Sequence, residues 1–571
     1  MEQKEKKINR IVTFLKRPIN SANSKVVLAY VILLAVLELL AYMTGGIFSV
    51  IESRIWLFSG LLCYAIIILL FFRMLFLDAK NKDFISVAGI LILIIFFGYF
   101  VGNVNYSDVN PDATQQMAAG ISSFQQPDWN FTGSAFLGYP NRQYVIAAVP
   151  ALVLGRSIFT LHMGFAIPFF LGIIMMYLGL REWCKESGTS NKVALIAAYA
   201  ILAFRFVAEY FMNFEQATTP IALTMIAVGL FLKFVKKPSC IYLMIMVWLG
   251  TFCAGSYTPV LASLGLLLVF LVLYAWDIYK TGSEKYAGIE YPMEVIKSIG
   301  YAVIGIIIVV LTILAHTKAE KMEQTREEVS LFSYCFQCVR DFFFDKDAVF
   351  FGGIGLVVLV YMILAIALRL KIHDFIIALW VLAVVILANY MTGYTTYQKA
   401  WILQRTLIIV PVLIAGITIT LIPYLKKLKI ETGAILFMIT FGLVGMYNFK
   451  QMHQSFTYFN HVYPMKYMLH TTSEIVEEEG LETEDEFNLI LYTDNYLQTN
   501  LENYTRFLYP NAHTYAGACS EMLTEENSSL PTIVLSDQMS VEEKYSSDVV
   551  EYIYFEHRYK TDVKWYAIVV R

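Results

Sequence analysis

The chain runs to 571 residues, of which 58% are apolar and 16% charged, with a mean hydropathy of +0.58. Soluble globular chains are about 45–50% apolar and about 25% charged, so a soluble enzyme and a disordered chain are both excluded. A formal net charge of −3 leaves no basic field for nucleic acid, and the seven scattered cysteines lack zinc-finger spacing.

A basic, polar leader covers residues 1–25. The apolar run behind it is long and reads as a retained anchor rather than a cleavable signal peptide. The leader reads as a cytoplasmic tail along an anionic leaflet. A membrane-spanning helix needs roughly 20 apolar residues. Candidates in chain order are 26–50, 55–77, 84–101, 157–180, 192–211, 218–236, 239–256, 259–278, 298–316, 347–369, 375–393, 406–424 and 431–448, about thirteen in all. The pair 239–256 and 259–278 is joined only by Tyr257-Thr258. Segment 143–155 is apolar but short, and reads as a helix lying in the interface.

Basic residues orient these spans. With the N-terminus inside, the inner segments carry Lys80, Lys82, Arg181, Lys185, Lys192, Lys233, Lys236, Arg369, Lys371 and Lys426, among others. Most outer loops are nearly free of Lys and Arg, apart from 317–346 and the loop holding Lys399 and Arg405. Everything after residue 449 then lies outside. The fold class is a polytopic α-helical membrane protein of about 13 spans over 26–448. A small extracytoplasmic α/β domain over 449–571 follows it. In that tail 488–494, 532–537, 550–555 and 564–570 read as strands, and 495–508 as helix.

The first outer loop, 102–142, is long and polar, and loops of this length usually do work. Asp112 stands just after the exit of a span, and a helical stretch at 113–124 follows. Then come Pro127-Asp128-Trp129, the turn Gly138-Tyr139-Pro140, the interfacial segment and Gly155-Arg156-Ser157. A carboxylate at the water–lipid boundary can act as a general base.

This order resembles the membrane-embedded GT-C glycosyltransferases, with the closest look to the protein mannosyltransferase and aminoarabinose-transferase branch. The matching stretches are Asp112-Ala113, Pro127-Asp128-Trp129, Tyr139-Pro140-Asn141-Arg142-Gln143-Tyr144 and, late in the chain, Gln404-Arg405 through Pro411. The resemblance covers most of the chain from about residue 84, and the first two spans look like an addition ahead of it. It implies an inverting transfer of a sugar from a polyprenyl-phosphate donor to an acceptor hydroxyl on the outer face, with Asp112 as base. Acceptor classes left open are protein, polymer and lipid. Lys399 and Arg405 would hold the leaving phosphate, with Tyr397, Gln398 and Tyr394 adding hydrogen bonds. Asp108 and Tyr139 would line the substrate site, and Glu215, in the second outer turn, would be a further acid. Glu209 is its rival, but it sits four residues after Arg205, a spacing suited to a helical ion pair. The family often pairs acids as Asp-Glu or Asp-x-Asp in the first loop, whereas Ala113 follows Asp112 here. No cofactor is therefore firmly implied, and a divalent cation stays open.

Plainer readings stand beside these. Asp112 follows a proline and precedes a helical stretch, as a helix N-cap does. Asp108 suits a turn and Glu215 a solvated turn. Arg405 and Lys399 suit snorkelling anchors. Glu38, inside the first span, suits a helix contact, and His162 and His316 suit packing at span ends. Cys335 and Cys338 have disulfide spacing without a redox context. The alternative functions are a transporter or lipid flippase, an O-antigen-type polymerase or ligase, and a non-catalytic scaffold. Transporters tend to carry repeated halves and broken helices, and O-antigen polymerases carry their large loop late. The overall look favours a bacterial plasma membrane.

Overall fold

The computed structural model of the chain describes residues 49–104, 149–204, 218–236, 330–344, 410–425, 430–459, 472–492, 507–516, 529–536, 548–555 and 563–570, with isolated positions elsewhere. The helices are α1 (Ser49–Lys80), α2 (Phe84–Val104), α3 (Val149–Leu154), α4 (Ile158–Ser187) and α5 (Lys192–Ala203). They continue as α6 (Thr218–Lys236), α7 (Leu331–Phe344), α8 (Val410–Leu425) and α9 (Ile430–Phe459). Among the described residues, four stretches are long and apolar enough to cross a membrane: Leu57–Lys80, Phe84–Val101, Phe159–Lys185 and Gly433–Lys450. The chain is a multi-pass membrane protein. The expected spans at 259–278, 298–316, 347–369 and 375–393 lie essentially outside the described residues.

Helix α4 is the buried centre. Phe165, Phe169, Ile173, Met176, Tyr177 and Leu180 along it are all almost wholly shielded. Its closest neighbour is α6, and the two run parallel in constant register. A Cβ on Gly172 would meet the Ala222 carbonyl oxygen at 2.8 Å, and one on Gly179 the Gly229 oxygen at 2.6 Å. From the other side, a Cβ on Gly229 would lie 2.1 Å from the Met175 oxygen. Lipid tails give helices no hydrophobic reason to associate, so close backbone approach at small residues supplies the dispersion contact instead. Helices α2, α5 and α8 pack against this pair, and α9 packs outside it on α5 and α2. By contrast, α1 and α9 leave Phe72, Phe76, Leu436 and Tyr447 exposed, the surface expected against lipid.

Several boundaries differ from the sequence expectation. Helix α5 stops at Ala203, not 211, because Phe204 turns extended (φ −72°, ψ 130°). Asn448 of α9 then donates from Nδ2 to the freed Ala203 carbonyl at 2.8 Å, which satisfies a helix-end acceptor that lipid could not. At 12 residues α5 is about 18 Å long, shorter than a full span. Ser49 and Val50, read as the end of the first span, begin α1. Helix α9 runs about ten residues past the expected end at 448, to Phe459. Part of the charged loop 317–346 is the amphipathic helix α7, and Cys335 on it is a free thiol.

The C-terminal segment forms a five-stranded sheet in the order β2-β1-β3-β5-β4. The strands are β1 (Asn488–Tyr492), β2 (His513–Ala516), β3 (Thr532–Ser536), β4 (Asp548–Phe555) and β5 (Val563–Val570). β1 pairs in parallel with both β2 and β3, and β5 pairs antiparallel with β3 and β4. Residues 488–491 and 532–536 are buried on both faces, as a central parallel strand requires. Strand β2 was not expected: His-Thr-Tyr-Ala has no apolar run, and its pairing with β1 makes it a strand.

The α4–α6 approach sets a stability prediction. Gly229→Leu should destabilise the bundle by at least about 3 kcal/mol. Gly250→Ala, whose added carbon meets nothing within 4 Å, should leave the melting temperature within about 2 °C. Thermal unfolding in detergent reads both. Equal effects would contradict the seam.

Candidate functional site

The bundle has one polar end. Asp78, at the end of α1, is 1% exposed and takes both guanidinium nitrogens of Arg181 on α4. Arg181 also donates to the Tyr177 hydroxyl at 3.2 Å. At the next residue of α4, Lys233 of α6 reaches Glu182 at 3.2 Å. Between α1 and α2 the chain reverses in a Schellman turn, with Lys82 left-handed at φ 58° and the Asp83 amide donating to the Asp78 carbonyl at 2.9 Å. Asp83 then caps α2: its carboxylate accepts from the Ser86 amide at 3.3 Å and the Ser86 hydroxyl at 2.9 Å. Lys192, at the start of α5, pairs with the same carboxylate at 2.8 Å. Burial acts to raise the Asp83 pKa, but the hydrogen bonds from Lys192 and Ser86 and the Lys192 charge outweigh it and hold the carboxyl below its ordinary range. Helix α4 ends in a second Schellman turn at Gly188 (φ 68°), and the Thr189 hydroxyl beyond it donates to the Ile422 carbonyl of α8 at 3.3 Å.

These contacts fix direction. The end of α1, start of α2, end of α4, start of α5, end of α6 and end of α8 share the polar end. Mid-bundle pairs agree with this register: the Tyr199 hydroxyl donates to the Gly89 carbonyl at 2.6 Å, and Phe97 lies 4.6 Å from Phe170 between ring centroids. The opposite end therefore holds Val104 of α2, the start of α4, Ala203 of α5, Thr218 of α6 and Val410 of α8. Asp108, Asp112, Tyr139, Glu215, Tyr397, Gln398, Lys399 and Arg405 all lie outside the described residues. Of their stretches of chain, 105–146 and 205–217 are flanked on both sides by described residues at that same opposite end, and 397–409 runs into Val410 there.

One expected feature at this end is described in full. After α3 the chain turns through Gly155, left-handed at φ 87°. Ser157 caps α4 in a capping box with Thr160, whose hydroxyl also bonds back to the Gly155 carbonyl at 2.9 Å. Arg156, held between these anchors, has a side chain only 6% exposed. It donates from Nη1 to the Phe507 carbonyl at 3.2 Å and faces Glu484 at 3.8 Å. Burial pulls the Arg156 pKa down from its usual value, with Glu484 opposing, and the guanidinium stays charged at neutral pH. In the sequence Arg156 reads as part of a Gly-Arg-Ser step, with no sign of a partner 351 residues away. His162, one turn into α4, is 1% exposed, as a packing residue is. Among the described residues, no group of three or more His, Cys, Asp or Glu side chains is placed to hold a metal ion.

No family model matches the chain, and no curated protein matches it either. Among solved structures, it is similar to ArnT from Cupriavidus metallidurans in the apo state, at a TM-score of 0.46 and 11% identity over 86% of this chain and 98% of that one. The same protein bound to undecaprenyl phosphate gives 0.47 and 12%, over 85% and 98%. The archaeal oligosaccharyltransferase AglB from Archaeoglobus fulgidus, in complex with an inhibitory peptide and a dolichol-phosphate, gives 0.38 and 13%, over 84% and 74%. ArnT and AglB are both GT-C superfamily members.

The polar end yields two predictions. Breaking the Asp78–Arg181 pair with Arg181→Met should cost about 3–5 kcal/mol, because a buried carboxylate is left alone. Adding Asp78→Leu should recover part of that loss; a double mutant as unstable as the two single losses added would show that no such pair exists. The Asp83 contribution should stay constant down to about pH 4 and vanish below it, since a lowered folded pKa gives stability that is lost as pH falls through that value. A loss already complete at pH 6 would contradict the capping and pairing described.

Proposed function

We propose that the protein is an inverting glycosyltransferase that moves a sugar from a polyprenyl-phosphate donor to an acceptor hydroxyl at the outer membrane face. The observation that supports this best is convergence. The stretches carrying Asp112 and Glu215 are flanked at one end of the bundle, the stretch carrying Arg405 runs into Val410 at that end, and the same end meets the C-terminal sheet through Arg156. The sequence order around Asp112 and Gln404-Arg405 resembles the GT-C pattern, and a multi-pass bundle suits a donor whose isoprenoid tail stays in lipid.

The polar end, rich in Arg181, Lys185, Lys192, Lys233 and Lys236, is the cytoplasmic one by the positive-inside rule. The opposite end is extracytoplasmic, in a bacterial plasma membrane. Asp112 takes the proton of the acceptor hydroxyl as its oxygen attacks the anomeric carbon. The bond from that carbon to the phosphate oxygen breaks, and the electron pair leaves on the lipid phosphate. Arg405 and Lys399 hold that phosphate, Arg405 in a two-point grip, with Tyr397 and Gln398 beside it. Asp108 and Tyr139 line the substrate site, and Glu215 is the second acid. The segment beyond α9 is an extracytoplasmic domain above this site.

Single-turnover release of polyprenyl phosphate tests the reading. Purified protein is offered polyprenyl-phosphate-linked glucose, mannose, galactose and aminoarabinose. The wild type should release lipid phosphate from one of them, and Asp112→Asn should slow release by at least about 100-fold while still binding donor. Arg405→Ala should weaken donor binding more than Arg405→Lys does. Unchanged turnover in Asp112→Asn would remove Asp112 as the base, and a wild type that neither binds nor cleaves any donor would refute the function.

A further inference from the structure

We infer that Arg156 is a positioning residue through which the C-terminal sheet anchors the turn before α4 and, with it, α3, which follows the first outer loop. The inference rests on the proposed function only for its kinetic consequence; the coupling itself stands on geometry. Arg156 sits at a rigid point. Gly155 supplies a left-handed turn before it, and the Ser157–Thr160 capping box fixes α4 after it. Thr160 is 3% exposed and bonds to carbonyls on both sides of the turn, Gly155 and Ser157, at 2.9 Å each. The guanidinium therefore leaves the bundle from a backbone with little freedom.

Its receiving surface is equally braced. Glu484 and Phe507 precede β1 and β2, the two parallel strands whose leading ends lie together. Asn511 ties the two segments by donating from Nδ2 to the Glu484 carbonyl at 2.6 Å. The Phe507 side chain is buried in the sheet's own core, and Tyr509 packs edge-to-face on Phe487 at 5.4 Å. Arg156 thus bridges a fixed turn and a fixed sheet edge. A backbone carbonyl is one acceptor, so the contact does not depend on a mobile side chain at Phe507. An exposed ion pair contributes little, but Arg156 is shielded, and a buried guanidinium without its acceptors is costly.

The consequence follows from chain order. The turn lies directly after α3, and α3 follows the loop that carries Asp112. Pulling the sheet away removes the Phe507 and Glu484 contacts of Arg156, and the turn and α3 lose an anchor. A base displaced by about 1 Å can cost a hundredfold in rate, so an anchor this near the loop acts on turnover rather than on donor binding.

The test uses the full chain in lipid nanodiscs, with hydrogen exchange resolved by peptide and donor kinetics on the same samples. Arg156→Ala should speed exchange about tenfold in 507–512 and in 149–154 together, and leave α4 and α6 protected. Arg156→Lys should fall between it and the wild type. Glu484→Ala, at a side chain 60% exposed on the sheet side, should shift the same two segments less; this variant carries the test if Arg156→Ala fails to fold. Turnover should fall about tenfold in Arg156→Ala with donor KM within about twofold. Faster exchange in only one segment, or in neither, overturns the coupling. Coupled exchange in a chain that releases no lipid phosphate would sink the enzymatic reading while leaving the seat in place.

Discussion

The sorting of charge to one end of an apolar bundle is the constraint on which the rest depends. A membrane interior leaves no water to satisfy a carboxylate or a helix terminus. Asp78 is almost wholly buried, so it needs Arg181, and Arg181 fixes the end of α4 against the end of α1. The same economy joins Asp83 to Lys192 and Glu182 to Lys233. With the Thr189 hydrogen bond to Ile422 of α8, six helix ends are brought to one level. The other ends have to emerge together, and the stretches bearing the candidate acids and cations are attached there. Function, on this account, is located by what the opposite end excludes.

The glycine seam then sets how tightly the helices carrying that order can pack. Because Gly172, Gly179 and Gly229 let α4 and α6 touch backbone to backbone, the start of α4 has a defined place relative to the start of α6. Thr218 directly follows the segment that holds Glu215, and Ser157 follows α3, which in turn follows the segment that holds Asp112. The C-terminal sheet meets this frame at Arg156, one residue before the α4 cap. The frame runs unbroken from the ionic end, through the seam, to the sheet.

Much of this was legible in the sequence where the physics is local. Helices α2, α4, α6, α8 and α9 overlap apolar runs of spanning length, because length and hydropathy alone make a membrane helix. The four apolar strands of the tail overlap β1, β3, β4 and β5 for a similar reason. What escaped depends on partners far along the chain. The stop of α5 at Ala203 needs Asn448, β2 needs β1, and Arg181 reads as one more inner charge until Asp78 lies against it, 103 residues away. Helix α7 was hidden because the charges flanking it gave the whole stretch the look of a loop. The candidate site was legible as an order of motifs; its residues lie outside the described ones, and the helix ends around them supply the geometry.

Sidedness is the most direct test of the central claim that the three candidate segments share one face. Single cysteines placed at Asp112, Glu215 and Arg405, and at Lys82 on the polar end, in a background without the seven native cysteines, would be treated with a membrane-impermeant maleimide on intact cells. Labelling is expected at the first three positions, and none at Lys82 until the cells are opened. Labelling that splits Asp112 from Arg405, or that reaches Lys82 from outside, would contradict it.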